Sequence, residues 1–156
     1  MAAYSFLTTW ILEAPCEAVW DAIHEVESWP AWWRGVRRVD ELEHGDEDGI
    51  GAVYRHEWRS VIPYPVRFET RIVGIQRLHL IEAEAHGDLA GTGRWRFFDG
   101  SATVVTYEWN VRTTKPWMNL LAPVARPIFA WNHHAVMRNG GVGLTRKLGA
   151  RLVAQS

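Results

Sequence analysis

The stretch Pro116–Leu152 reads PWMNLLAPVARPIFAWNHHAVMRNGGVGLTRKLGARL. Its reading decides the fold. Apolar residues recur at helical spacing, so the stretch is one long, interrupted helix. Pro123 and Pro127 lack the N–H for intrahelical bonds. They predict a short helical piece from Trp117, a break near Pro123, and a main helix from about Arg126. At about 100° per residue, Phe129, His133, Val136, Gly140 and Leu144 share one side. His133 interrupts that apolar stripe, Asn132 sits at its margin, and Arg138 points the opposite way. Gly140, Gly141, Gly143 and Gly149 each cost up to about 1 kcal/mol against Ala in a helix. Close approach to a sheet or to another helix is the simplest compensation, and a flexible lid is the second.

What precedes this helix is sheet. Tyr4, Phe6, Thr8, Trp10 and Leu12 alternate with Ser5, Leu7, Thr9, Ile11 and Glu13, the period of a strand. Ala14-Pro15 breaks it, and Pro15 suits the first turn of a helix over 16–26. Ser28 is placed to cap a second short helix through Trp29-Pro30-Ala31-Trp32-Trp33. Period two then returns over 36–43, 50–60, 66–76, 78–86, 91–98 and 102–113. An acidic turn at 44–49 and Asp99-Gly100 supply hairpin signals. Ile62-Pro63-Tyr64-Pro65 must be a connection, because two prolines at that spacing do not fit a sheet interior.

The expected architecture is α+β: a curved antiparallel sheet of seven strands wrapped round a long C-terminal helix, with two short helices after the first strand. One domain over 1–156 is expected from the length. Such a sheet cannot fill its own concave side, and one helix across it can leave a cavity. The break near Pro123, the Pro63–Pro65 loop and Trp29–Trp33 are the expected lips of its mouth.

Seventeen basic and eighteen acidic residues give a net charge of −1. That balance argues against nucleic acid or an anionic membrane as the main partner. A single cysteine, Cys16, excludes an internal disulfide and a multi-cysteine metal site. The N-terminus lacks the basic region and apolar run of a signal peptide, and no apolar segment approaches the length of a bilayer span. A cytoplasmic protein without stable membrane insertion is expected. Ten tryptophans stand out. They predict an aromatic core, a pocket with wide aromatic walls, or both.

Several segments resemble the START-like superfamily. They are Ala14-Pro15-Cys16-Glu17-Ala18-Val19-Trp20, then Trp29-Pro30-Ala31-Trp32-Trp33, and Gly91-Thr92-Gly93-Arg94-Trp95 leading into Val105-Thr106-Tyr107-Glu108-Trp109. The end carries Trp131-Asn132-His133 and Val136-Met137-Arg138. Together they look like its polyketide cyclase/dehydrase branch. The resemblance implies the helix-grip fold and a hydrophobic ligand cavity. It implies no fixed catalytic triad, and fold alone does not fix function. Where the branch suggests an acidic residue after the Asn-His pair, this chain has His134.

The polar candidates for such a cavity are few. Asn132 and His133 come from the helix. Tyr54, His56 and Trp58 come from one strand, Phe68 and Thr70 from the next, Trp95, Tyr107 and Trp109 from the last two, and Phe129 from the helix. These eleven are the expected ligand-binding set. If the chain is an enzyme, His133, His56 and Tyr107 are the expected catalytic groups, able to move a proton or polarise a ketone. No H-x-x-x-H or H-E-x-x-H pair, P-loop or G-x-G-x-x-G occurs, so no metal and no cofactor is expected. Cys16, near a helix N-terminus, gains acidity there but has no neighbouring base, and reads as structural.

Three functions fit this reading. The first is binding of a small, largely apolar molecule, lipid-, sterol- or polyketide-like. The second is cofactor-independent cyclisation or dehydration of a poly-β-keto chain in the same cavity. The third is an interaction protein whose cavity is filled by its own aromatic side chains. Oligomeric state is open in all three.

Overall fold

Alternation along the strands decides which side chains turn inward. In the computed structural model, which describes residues 3–59 and 64–156, β1 is Ala3–Leu12, with Tyr4, Thr8, Trp10 and Leu12 buried and Leu7 open to solvent. The chain continues through α1 (Cys16–His24), a 3₁₀ turn (Val26–Ser28) and α2 (Trp29–Trp32). There follow β2 (Val36–Glu43), β3 (Val53–Trp58), β4 (Val66–Gln76), β5 (Leu80–Gly87), β6 (Leu89–Phe98) and β7 (Thr103–Thr113). Then come α3 (Pro116–Leu120), α4 (Ala122–Leu148) and β8 (Leu152–Gln155). The strands form one sheet in the order β2-β3-β4-β5-β6-β7-β1-β8. Every pairing is antiparallel. Register shifts within β2–β3, β4–β5 and β1–β8 bend the strands locally, as bulges do.

The α+β helix-grip architecture is therefore as expected, with eight strands among the described residues rather than seven. Gly149, at φ 61°, ends α4 in the left-handed region and turns the chain back. The last four strand residues then pair with the free edge of β1. That short run has no hairpin partner next to it in sequence to announce it. The helix break also moves. It falls at Leu121, between α3 and α4, and not at Pro123. Pro123 occupies the first turn of α4, where a missing N–H costs nothing. Pro127 lies inside the helix. Ser28 makes no cap; its hydroxyl donates to the Glu25 carbonyl at 2.6 Å. The strand expected over 50–60 begins only at Val53, because Gly49 and Gly51 adopt positive φ and extend the turn. Ser60–Pro63 lie outside the described residues.

The glycines of α4 are explained by contact. The Trp33 indole donates to the Val136 carbonyl at 2.9 Å, and the Trp10 indole to the Met137 carbonyl at 3.1 Å. A carbonyl has two lone pairs, so each can accept this bond beside its helical one. The residues one turn on are Gly140 and Gly141. A Cβ on Gly140 would lie 2.5 Å from the Trp33 ring, and one on Gly141 3.1 Å from the Trp10 indole nitrogen. A Cβ on Gly143 would strike the Trp32 carbonyl oxygen. Gly149 has no such neighbour within 4 Å; it serves the backbone. Trp10 and Trp33 continue into a cluster with Trp29, Trp58 and Trp95, ring centroids 5.0 to 6.2 Å apart. Buried indoles need acceptors, and Trp29 finds one in the Ile23 carbonyl at 3.1 Å.

Gly140→Ala and Gly143→Ala should each cost about 1–3 kcal/mol through overpacking, read as a lower denaturant midpoint. Gly149→Ala should cost about 1–2 kcal/mol through its backbone conformation alone. Unchanged midpoints for the first two would contradict the close-approach explanation.

Candidate functional site

Between the inner face of the sheet and α4 lies a cavity of about 160 Å³. Strands supply most of its wall because their inward residues are aromatic and sit two apart: Trp58 on β3, Phe68 and Thr70 on β4, Trp95 on β6, Tyr107 and Trp109 on β7. Helix α4 supplies Phe129, Asn132, His133, Val136 and Met137. The structure thus brings together ten of the eleven residues expected to line it. Tyr54 is the exception. It turns to the same side of β3, but it packs half-buried against the core and is not in the cavity wall. Burial, then the nearby Glu41 and Glu27 carboxylates, raise its pKa.

Several wall residues were outside that set. Tyr4 and Phe6 enter from β1, Trp29 from α2, Trp33 from the residue just after it, and Met118 from α3. Tyr4 and Phe6 were legible as the inward side of the first strand. Trp29 and Trp33, expected at a lip of the mouth, are 7 and 1% exposed and line the cavity from the core side; Tyr64 also lines it, and Pro63 is outside the described residues. Met118 had no signal of its own beyond helical spacing.

The two histidines stand in different environments. His56 is 2% exposed and stacks on Phe68 at 4.9 Å. The Trp58 indole N–H, 3.4 Å away, points at its Nδ1. An indole only donates, so Nδ1 accepts and the ring proton sits on Nε2. From there it meets Thr70 Oγ1 at 2.9 Å. Burial lowers the pKa of His56 to about 3. The ring is neutral at pH 7, and both nitrogens are engaged within the protein.

His133 stacks on Phe6 at 4.0 Å with an interplanar angle of 14°. Burial, and next the adjacent His134, lower its pKa to about 4. Its Nε2 is buried and has no hydrogen-bond partner among the described residues. The same holds for Asn132 Oδ1 and the Tyr4 hydroxyl. An unpaired buried polar atom costs about 1–3 kcal/mol. Three of them in the wall of one cavity therefore hold a reserve of unmade hydrogen bonds. Arg126 lies over the Tyr4 ring at 4.9 Å and donates to the Ala3 carbonyl, so it fixes that end of the wall.

Tyr107 stacks on Trp95 at 4.1 Å and on Trp109 at 5.8 Å. Burial raises its pKa, so the phenol stays protonated. Gly93 makes room for it: a Cβ there would lie 2.7 Å from the hydroxyl. Cys16 departs from expectation. Burial and then Asp99 raise its pKa, outweighing the helix N-terminus, and the thiol faces the Leu78 carbonyl at 3.8 Å. Among the described residues no three His, Cys, Asp or Glu side chains gather as metal ligands would.

Two buried neutral histidines have a measurable consequence. Their folded pKa values lie below the unfolded value of about 6.5. The unfolded chain therefore binds more protons below that pH. Stability should be full above about pH 6.5 and fall as pH drops toward 4, by about 1.4 kcal/mol per pH unit for each histidine. His56→Gln should flatten this slope in denaturant titrations at stepped pH. An equal slope in the variant would contradict the assignment.

The family described as polyketide cyclase/dehydrase and lipid transport matches residues 12–139. No curated protein sequence gives a significant match. Among solved structures, the aromatase/cyclase ZhuI of Streptomyces sp. R1128 superposes with a TM-score of 0.77 at 17% identity, over 95% of this chain and 94% of that one. The di-domain aromatase/cyclase BexL of the BE-7585A biosynthetic pathway gives 0.74 at 22% identity over 96% of this chain. This chain spans 51% of BexL, about half its length. A START superfamily protein of Mycobacterium smegmatis gives 0.71 at 12% identity, over 94% of this chain and 97% of that one. At these identities the likeness is one of fold.

Proposed function

The chain belongs to the polyketide cyclase/dehydrase and lipid transport family, and on that footing we propose that it binds a small, largely apolar molecule carrying a hydrogen-bonding group. The observation that carries this reading is the set of three unpaired polar atoms, Tyr4 Oη, Asn132 Oδ1 and His133 Nε2, in a wall otherwise aromatic and aliphatic. The apolar body gains about 25 cal/mol for each Å² removed from water. The polar group gains by completing bonds that the empty protein leaves unmade. A cavity of about 160 Å³ is on the scale that accepts one benzene-sized ring. A longer lipid- or polyketide-like molecule would require α3 and the first turns of α4 to move outward.

A second reading, a cofactor-independent cyclase or dehydratase, draws on one observation: His133 Nε2 is free of any described partner. Its lowered pKa, about 4, makes it a weak base at neutral pH. His56 has no nitrogen to spare. Both facts favour binding over proton transfer.

Calorimetry with phenol and benzene, which match the cavity in size, separates body from handle. The hydroxylated probe should bind about tenfold more tightly, the value of one hydrogen bond of about 1.4 kcal/mol. In Tyr4→Phe/Asn132→Ala/His133→Ala the two should bind alike. No binding of either probe, or equal binding to the native chain, would contradict the proposal. For the cyclase reading, His133→Gln should abolish turnover of a poly-β-keto substrate while the protein stays folded; full turnover would remove His133 from any mechanism.

A further inference from the structure

One side of α4 faces the cavity, so the other should be polar. It is not. Val124, Ile128, Trp131 and Val142 are 72, 50, 61 and 40% exposed. Their spacing puts them within a sector of roughly 60° on a helix of 3.6 residues per turn, about opposite His133. Helix α3 extends the patch with Trp117 and Leu120, 44 and 81% exposed. A helix apolar on both sides is ordinarily buried on both. An open apolar stripe of this size marks a surface that meets something.

Charge identifies the partner. The net charge of −1 conceals a division along the chain. Residues 109–156 hold seven basic side chains (Arg112, Lys115, Arg126, Arg138, Arg146, Lys147 and Arg151) and no Asp or Glu, which leaves ten basic against eighteen acidic before them. At the apolar end the cations are already engaged: Lys115 lies 3.4 Å from Asp88, and Arg126 is held at Ala3 and Tyr4. Arg138 and Arg146 fall in the same sector as the apolar stripe and are exposed. Neither has an ion-pair partner among the described residues. A second copy would offer these cations no side-chain carboxylate from its own residues 109–156, which hold no Asp or Glu.

We propose that the outer face of α3 and α4 docks on an anionic lipid surface. Trp117, Leu120, Val124, Ile128 and Trp131 enter the boundary between headgroups and acyl chains, where tryptophan is favoured. Arg138 and Arg146, at the other end of the stripe, lie against lipid phosphates. Among the described residues no helix is long and apolar enough to cross a membrane, so this is attachment along the surface. The docking stands on the surface alone and holds whatever the cavity carries.

Vesicle flotation tests it. The native chain should float with phosphatidylcholine vesicles containing phosphatidylserine, not with phosphatidylcholine alone, and high salt should release it. Ile128→Asp/Trp131→Ser should abolish flotation. Arg138→Gln and Arg146→Gln should each weaken it about fivefold. These positions are exposed, and circular dichroism checks that each variant is folded. Failure of the native chain to float with anionic vesicles would overturn the proposal, as would equal flotation of the Ile128/Trp131 variant. A native dimer in sedimentation velocity that Ile128→Asp disperses would assign the face to a second copy and overturn it too.

Discussion

Two indole N–H groups donating to two successive helix carbonyls hold the structure in register. Trp10 from the sheet and Trp33, just past the end of α2, reach Met137 and Val136 of α4. They can do so only because Gly140 and Gly141 present no side chain there. The junction fixes the second half of the helix against both the sheet and the short helices. It also fixes its rotation, and therefore which residues one turn earlier face inward. Asn132 and His133 are delivered to the cavity wall by this constraint rather than by strong packing of their own segment. The first half of α4 has no fully buried side chain before Val136. It rests on β1 through Phe129, Tyr4, Phe6 and His133.

The same constraint divides the helix by task. Its second half is a clamp made of glycines and indoles. Its first half is a cover that carries polar atoms with unmade bonds on one side and open apolar side chains on the other. Both features of the cover are costly in the isolated chain: unpaired buried polar atoms and exposed tryptophan are each unfavourable. A ligand inside and a surface outside would relieve them separately.

Much of this was legible in the sequence because period two is a strong signal when the inward residues are as large as Trp58, Phe68, Trp95 and Trp109. The long helix was legible in its own spacing, and the close approach in the cost of Gly140, Gly141 and Gly143, which is high unless something comes near; Gly149 ends the helix instead. Other features depended on contacts that sequence distance hides. β8 owes its existence to an open edge on β1, more than a hundred residues away. Tyr54 shares its strand face with His56, yet it packs against the core outside the cavity wall. The pinning of His56 by Trp58 and Thr70 required the register of β3 against β4. The charge division was visible in the sequence, but only the exposure of Val124, Ile128 and Trp131 gave it a meaning.

The cavity is proposed to hold an apolar molecule with a polar end. Native mass spectrometry of gently purified protein tests it most directly. The expected result is a species heavier than the 17.9 kDa chain, whose extra mass is lost on denaturation and extracts into organic solvent as a compound bearing a hydroxyl or carbonyl. A spectrum holding only the bare chain, from protein that also fails to take up any apolar probe, would contradict it.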